Sequence, residues 1–305
     1  MQALVTNLAS RLEAYHPFNC PKSSVIVVES TASPSDTEIR QSGKQMIMSL
    51  ADLKLNAPEE TIFVYDGLIN YFQVLANQRA VVIKINLRCP TLYRLEETPG
   101  LPFRTRLYLD RSPLRKIVAG QTILVDPGHG GRDGGVRGPI NLREKKVVLS
   151  IAQYLEDHLL ELGAKPVLTR RDDRLVPQAE RMALAARTRP AAAISLHTGQ
   201  APSPRARGVR TMHPPTAPSR DLAQAVHQAI LKKMRLPDRR CTPQSGLPWP
   251  RQIPAAHIET VCLTNGLDEA LLRSPVFKSR LARAIANGVV DYLSQIQRAQ
   301  AKGGS

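Results

Sequence analysis

Four residues between positions 129 and 259 carry side chains able to hold a divalent cation and move a proton. His129 lies in ILVDPGHGGRD, where an apolar run breaks into a tight Asp-Pro-Gly turn. The surrounding glycines free the backbone, and an imidazole held at a strand end is well placed as a metal ligand. Glu144 opens the helical pattern NLREKKVVLSIAQYLEDHLLELG. It stands three residues after Asn141, so it fits two roles: half of a capping box, or a carboxylate pointing out of the helix end towards a site beside a sheet. His197 ends the small-residue run AAAISLHTG, and a histidine there fits a hydrogen-bonded structural role as well as a ligand role. Glu259 sits within the apolar segment HIETVC, where a carboxylate is costly unless it is paired or meets a cation. Nearby, His257 reads as packing or polar support rather than as a ligand.

The elements that must position these residues alternate between strand and helix. Strands are expected near 122–126, 165–169, 192–197, 208–212 and 253–263, and helices near 144–162, 176–187, 220–234 and 274–297. That alternation predicts an α/β fold with parallel strand pairs. It places the candidate residues at strand ends or just beyond them, where open α/β sheets collect their ligands. The Pro- and Arg-rich stretch 202–218 is expected to form a loop at the cleft mouth, and 247–254 (LPWPRQIP) a second wall. Trp249 there suits either substrate contact or packing.

The first part of the chain reads differently. Alternating apolar residues predict strands at 24–29, 61–65, 80–87 and 104–110, with turn signals at Asp66-Gly67, 97–100 and Ser112-Pro113. Residues 30–58 read as polar and irregular, with a helix around 45–53. Leu4, Leu8 and Leu12 suggest a short amphipathic helix, and 112–121 an exposed connector. The expected organisation is a smaller β-rich domain at 1–115, then an α/β domain at 120–298 with a mixed, mostly parallel sheet flanked by helices.

Taken together, DPGHGGRDGG, INLREKKVVLSIAQYL, TRRDD, RMALAA, SLHTG and IETVCLTNGLDEALLRS resemble the amidase type 3 family of zinc-dependent N-acetylmuramoyl-L-alanine amidases, over about residues 120–295. The resemblance implies one Zn2+ per chain, held by His129, Glu144 and His197, with Glu259 as the catalytic glutamate. Two imidazoles and a carboxylate leave a fourth position open for water. The implied reaction is hydrolysis of the amide between muramic acid and L-alanine in peptidoglycan. Thr198-Gly199 stand where the family usually has a small residue and Asn, and Val261-Cys262 where Gly and Phe are usual. These departures flank the expected site without removing a ligand. Some relatives carry a long autoinhibitory helix after the second histidine; here that segment is short. The stretch VYDGLINYFQVLANQRAVVIKINL followed by LPFRTRLYLD resembles the AMIN-type β-rich modules associated with wall targeting.

Composition narrows the partners. The net charge is +16 over 305 residues. Residues 1–119 hold 14 Lys and Arg against 11 Asp and Glu, whereas residues 120–305 hold 28 against 15. A basic catalytic half suits an anionic cell-wall polymer. The charge alone would also suit nucleic acid, but only 4% of residues are aromatic and no nucleic-acid motif is present. No run approaches the roughly 20 apolar residues of a membrane span. MQALVTNLASRLEAYHPF lacks the basic start and apolar core of a signal peptide, so production in the cytoplasm, as in a mother cell, stands beside the envelope or extracellular site that the resemblance implies. The four cysteines, Cys20, Cys89, Cys241 and Cys262, form no C-x-x-C pair, and Cys262 reads as a small core residue. Two other readings are a related zinc peptidase and a wall-binding protein without catalysis.

Overall fold

The computed structural model describes residues 3–15 and 20–303. The chain divides into two compact units, Met1–Lys116 and Ile117–Ser305.

Among the described residues, the first unit carries ten strands in two five-stranded sheets. They are β1 (Ala3–Tyr15), β2 (Cys20–Ser30), β3 (Thr37–Ser42), β4 (Gln45–Ala51), β5 (Leu53–Leu55), β6 (Glu60–Phe63), β7 (Ile69–Ala76), β8 (Ala80–Leu87), β9 (Tyr93–Thr98) and β10 (Phe103–Asp110). One sheet runs β5-β1-β2-β10-β9 and the other β3-β4-β8-β7-β6. Their buried rows include Ile26 and Val28 with Leu107 and Leu109 in the first, and Met46, Met48 and Leu50 with Ile83, Ile85 and Leu87 in the second.

Three expectations are overturned within residues 1–121. Leu4, Leu8 and Leu12 lie on β1, not on a helix. Their four-residue spacing fits both periods, and antiparallel pairing from Val5↔Ser30 to Tyr15↔Cys20 decides for the strand. Residues 45–53 form β4 and the start of β5 rather than a helix. In β4, Met46, Met48 and Leu50 are buried while Gln45 and Ile47 are exposed, the two-residue period of a strand. The 112–121 connector contains helix α1 (Ser112–Val118), which buries Leu114 and Val118. The backbone N–H of its Ser112 donates to Asp110 Oδ1 at 3.0 Å.

The second unit holds β11 (Thr122–Pro127), α2 (Glu144–Glu161), β12 (Lys165–Leu168), α3 (Gln178–Thr188), β13 (Ala192–Gly199), β14 (Val209–His213), α4 (Ala217–Met234), β15 (Asp238–Pro243), β16 (Ala255–Cys262), α5 (Gly266–Arg273) and α6 (Pro275–Gly303). The sheet order is β12-β11-β13-β16-β14-β15. The β14–β16 pairing is antiparallel and the others are parallel. Helix α2 packs on β11, β12 and β13, α4 on β14 and β16, and α6 against α2 and α4. Leu124, Ala193 and Ala255 form one buried row with Ala185 of α3, Trp249 and Ile253. Between β13 and α4 lies β14 and no helix. No helix among the described residues is long and apolar enough to cross a membrane.

Strand β15 has no counterpart in the expectations above. Its sequence DRRCTP is charged and carries no apolar alternation, and as an edge strand it needs little apolar surface.

Candidate metal centre and its surroundings

Strand β11 ends at Pro127, and the chain turns so that His129 sits at φ 60, a conformation uncommon outside glycine. Two buried arginines hold that turn. Arg170 of the TRRDD motif donates to the carbonyls of Pro127 (3.0 Å) and Gly128 (2.7 Å). Arg181 of RMALAA donates to the carbonyls of Pro127 (3.0 Å) and His129 (3.1 Å) and pairs with Asp126. Asp126 in turn accepts the hydroxyls of Thr169 (2.7 Å) and Ser195 (3.0 Å). The sequence offered both motifs but not their task, which is to satisfy the exposed carbonyls of a sharp, buried turn.

Helix α2 begins at Glu144, and its N-cap is Arg143 with no side-chain cap. The capping-box role is therefore overturned. The carboxylate of Glu144, 1% exposed, reaches both histidines instead. Its Oε2 lies 3.1 Å from His129 Nε2, and its Oε1 lies 3.2 Å from His197 Nδ1. The backbone N–H groups of Val136 and Thr198 each donate to it at 2.8 Å. Burial pushes the acidity of Glu144 down, but the two histidines and two N–H donors outweigh it and hold the carboxyl well below the usual carboxylate range. Glu144 holds His129 above the ordinary histidine value, against burial and with help from Asp133. The other ring nitrogen of His129 lies 2.9 Å from Asp133 Oδ2, the kind of outer contact that orients a metal-binding imidazole.

The structure thus brings His129, Glu144 and His197 together, with one ligand atom from each lying within 4.8 Å of the others. Missing side chains make the space. A Cβ on Gly128 would come 2.2 Å from His197 Cε1, and one on Gly135 2.6 Å from Glu144 Oε2. The donor set suits zinc, because it combines two imidazoles with a carboxylate held ionised.

Glu259 on β16 stands directly opposite His197 on one side and Arg210 of β14 on the other. Burial raises its carboxyl above the ordinary value despite nearby Arg239 and Arg210. The site residues line an open cleft of ≈ 650 Å³, which includes His129, Glu144, His197, Thr198, His257 and Glu259. A neighbouring hollow of ≈ 430 Å³ on the other side of the histidines is walled by Leu175, Val176, Leu247 and Pro248.

His257 stacks on His197, with ring centroids 4.3 Å apart, and stays outside the three-ligand cluster. Burial pushes its pKa down to about 3, which leaves it a neutral packing partner. Trp249 is 6% exposed and packs in the buried row described above, and it also lines the hollow together with Leu247 and Pro248. Arg210 belongs to β14 rather than to the Pro-rich loop. Arg207 pairs with buried Asp268 at 3.1 Å. Cys241 and Cys262 are free thiols, and Cys262 is buried. Asn265 caps α5 by accepting from the N–H groups of Leu267 and Asp268.

An α/β domain that gathers two histidines from its strand ends and a glutamate from the first turn of a helix defines a class of candidate metallohydrolase. The chain belongs to the Amidase_3 family of N-acetylmuramoyl-L-alanine amidases, whose model matches residues 123–291. It is 27% identical over 304 residues to the N-acetylmuramoyl-L-alanine amidase LytC of Bacillus subtilis, a match covering 88% of this chain but 60% of that protein. The chain therefore spans less than two thirds of that relative. Among solved structures, N-acetylmuramoyl-L-alanine amidase AmiC2 of Nostoc punctiforme aligns with a TM-score of 0.55 and 28% identity, covering 58% of this chain and 99% of that one. The N-acetylmuramoyl-L-alanine amidase from Clostridium difficile 630 aligns with a TM-score of 0.55 and 29% identity, covering 57% and 97%.

Proposed function

We propose that this protein is a zinc-dependent peptidoglycan hydrolase that cleaves the amide between N-acetylmuramic acid and the L-alanine of the stem peptide. The observation that carries the reading is the convergence of Glu144 on both His129 and His197, in a chain of the N-acetylmuramoyl-L-alanine amidase family. His129, Glu144 and His197 would hold the ion. Zinc bound there would supply Lewis acidity to the scissile carbonyl and to the attacking water.

Glu259 does the proton work. It accepts a proton from water as the oxygen adds to the lactyl carbonyl, and it returns that proton to the nitrogen as the C–N bond breaks. The products are a lactyl carboxylic acid on the sugar and a free amine on L-alanine. Arg170 and Arg181 keep the His129 turn in place, and His257 packs behind His197. The first unit, with its two β-sheets, is assigned an AMIN-like role in wall targeting, and the working location is the cell envelope or outside it.

The test is product analysis on purified muropeptides, with metal content measured on the same preparation. Release of the L-alanine amine supports an amidase. Cleavage within the stem peptide, with the lactyl amide intact, would make the protein a peptidase. Zinc-loaded protein that binds wall and cleaves nothing would make it a binding protein.

A further inference from the structure

We propose that Arg239 is a positioning residue for the carboxylate of Glu259, admitted to it by the missing side chain of Gly199. The inference rests on the reading of Glu259 as the proton acceptor. Arg239 Nη1 lies 3.3 Å from Glu259 Oε2, and Arg210 Nη1 lies 4.0 Å from Oε1. The two guanidinium groups thus address different oxygens of one carboxylate. Arg239 is the nearer and sets its orientation through a charge-assisted hydrogen bond.

Arg239 comes from the edge strand β15, and two features of that strand aim it. The β14–β15 register pairs Val209 with Asp238 and Thr211 with Cys241, so Arg239 and Arg240 together stand opposite Arg210. Arg240 takes φ 75 at this irregularity. An extra residue in one strand bends it locally and re-aims the side chains beside it. Asp238 then fixes the strand's start. Its Oδ1 lies 2.9 Å from His227 Nε2 and accepts the Arg240 N–H at 2.6 Å, while His227 Nδ1 meets the Thr211 hydroxyl at 2.9 Å. His227 is 2% exposed. The residue before Arg239 is therefore tied to both α4 and β14.

Gly199 supplies the space. Its φ is not among the positive values, so its backbone does not call for glycine. A Cβ there would lie 2.4 Å from Arg239 Nη1, 3.2 Å from Glu259 Oε2 and 3.3 Å from the Cα of Cys262. The severe conflict is with the far end of a flexible side chain. An added methyl would displace the guanidinium, whereas Glu259 Oε2 and the Cys262 backbone would need to give by only a few tenths of an ångström. Position 199 thus decides whether Arg239 can reach Glu259.

The experiment uses the zinc-loaded full chain on purified muropeptides. Arg239→Ala is expected to lower kcat about 10-fold or more with KM within about twofold, because small misplacements of a reacting group cost up to about 100-fold. Arg239→Lys should recover part of the loss. Gly199→Ala should lower kcat to a similar degree in the parent and have little further effect in the Arg239→Ala background, as coupled neighbours do. Zinc content and melting temperature should stay near the parent values. If Arg239→Ala keeps kcat within about twofold, or if only KM rises, the inference is overturned. It also fails if the two substitutions act independently. Glu259→Gln measured alongside separates the two claims. Normal turnover by Glu259→Gln defeats the proton-acceptor reading and the inference with it. A dead Glu259→Gln beside a normal Arg239→Ala defeats the inference alone.

Discussion

Glu144 and His197 are joined at two points: Glu144 Oε1 lies 3.2 Å from His197 Nδ1 and accepts the next backbone N–H, that of Thr198, at 2.8 Å. The first turn of α2 is thereby locked to the end of β13. An anion at a helix N-terminus is also favoured by the helix dipole. The carboxylate is therefore held in place by the fold itself. One zinc per chain is expected in protein purified without added metal, and His197→Ala should abolish it, because two remaining ligands close a zinc site poorly. Metal analysis after dialysis against zinc is the check. Stoichiometric zinc in His197→Ala would remove this residue from the ligand set.

Glu259→Gln should keep its zinc and lose turnover by roughly 10²–10⁴-fold, the usual worth of general acid–base catalysis. Glutamine preserves the shape opposite His197 but cannot take a proton. Near-normal hydrolysis by the folded, metal-loaded variant would withdraw the role from Glu259. Loss of zinc instead would make it a ligand.

Gly135→Ala should cripple metal binding while leaving the helices intact. Gly135 has φ +62, and an added Cβ would fall 2.6 Å from Glu144 Oε2 and 2.7 Å from His129 Cδ2. The left-handed backbone alone costs about 1–2 kcal/mol for a residue with a side chain. At least about a tenfold loss of zinc affinity is expected, equivalent to about 1.4 kcal/mol. Competition with a chelator measures the affinity, and circular dichroism checks the fold. Parent-like affinity would show that the turn relaxes around the methyl group.

Zinc affinity should fall with acidification, beginning above the ordinary histidine value of about 6.5. Bound metal requires neutral imidazoles and an ionised carboxylate. Glu144 meets that condition far into acid, since its pKa is lowered. His129 does not, since its pKa is raised, first by Glu144. The metal-free fold responds with the opposite sign. The raised pKa of His129 favours folding below about pH 6.5, and that contribution is lost as pH rises through the raised value. Chelator competition across pH tests the first statement and melting of metal-free protein the second. A zinc affinity unchanged from about pH 8 to about pH 6 would contradict the assignment of His129 as a ligand.

The catalytic-side architecture was readable because its signals are local. Val147, Val148, Ile151, Leu155 and Leu159 repeat at helical spacing and are all buried in α2. His129, Glu144 and His197 each sit at the end of an element, where residue type and turn chemistry announce a site. What escaped is non-local. Strand β1 looked helical because four-residue leucine spacing fits both periods, and pairing with β2 decided between them. Strand β15 had no apolar pattern to show, and with it went Arg239. The tasks of Arg170 and Arg181 depend on carbonyls 42 and 52 residues away in sequence, at Gly128 and His129, which no spacing rule connects.

Binding to purified cell wall should weaken as salt rises. Residues 120–305 hold 28 Lys and Arg against 15 Asp and Glu. Attraction between exposed charges is screened over about 8 Å at physiological ionic strength. The arginines of 202–210 are not equivalent in this. Arg205 is exposed. Arg207 is tied to Asp268, which is fully buried and also accepts the N–H groups of Gly208 and Cys262. Arg205→Ala should therefore weaken wall binding slightly at low salt and leave the melting temperature unchanged. Arg207→Ala should lower the melting temperature, because it strips a buried carboxylate of its cation, a loss worth up to about 3–5 kcal/mol where both partners are buried and less here with Arg207 part-exposed. Pelleting of the full chain and of residues 117–305 with wall across a salt series, beside thermal melts of both variants, makes the check. Equal binding by 117–305 at low and high salt would exclude an electrostatic origin. Binding by the full chain but not by 117–305 would leave wall targeting to the first unit alone.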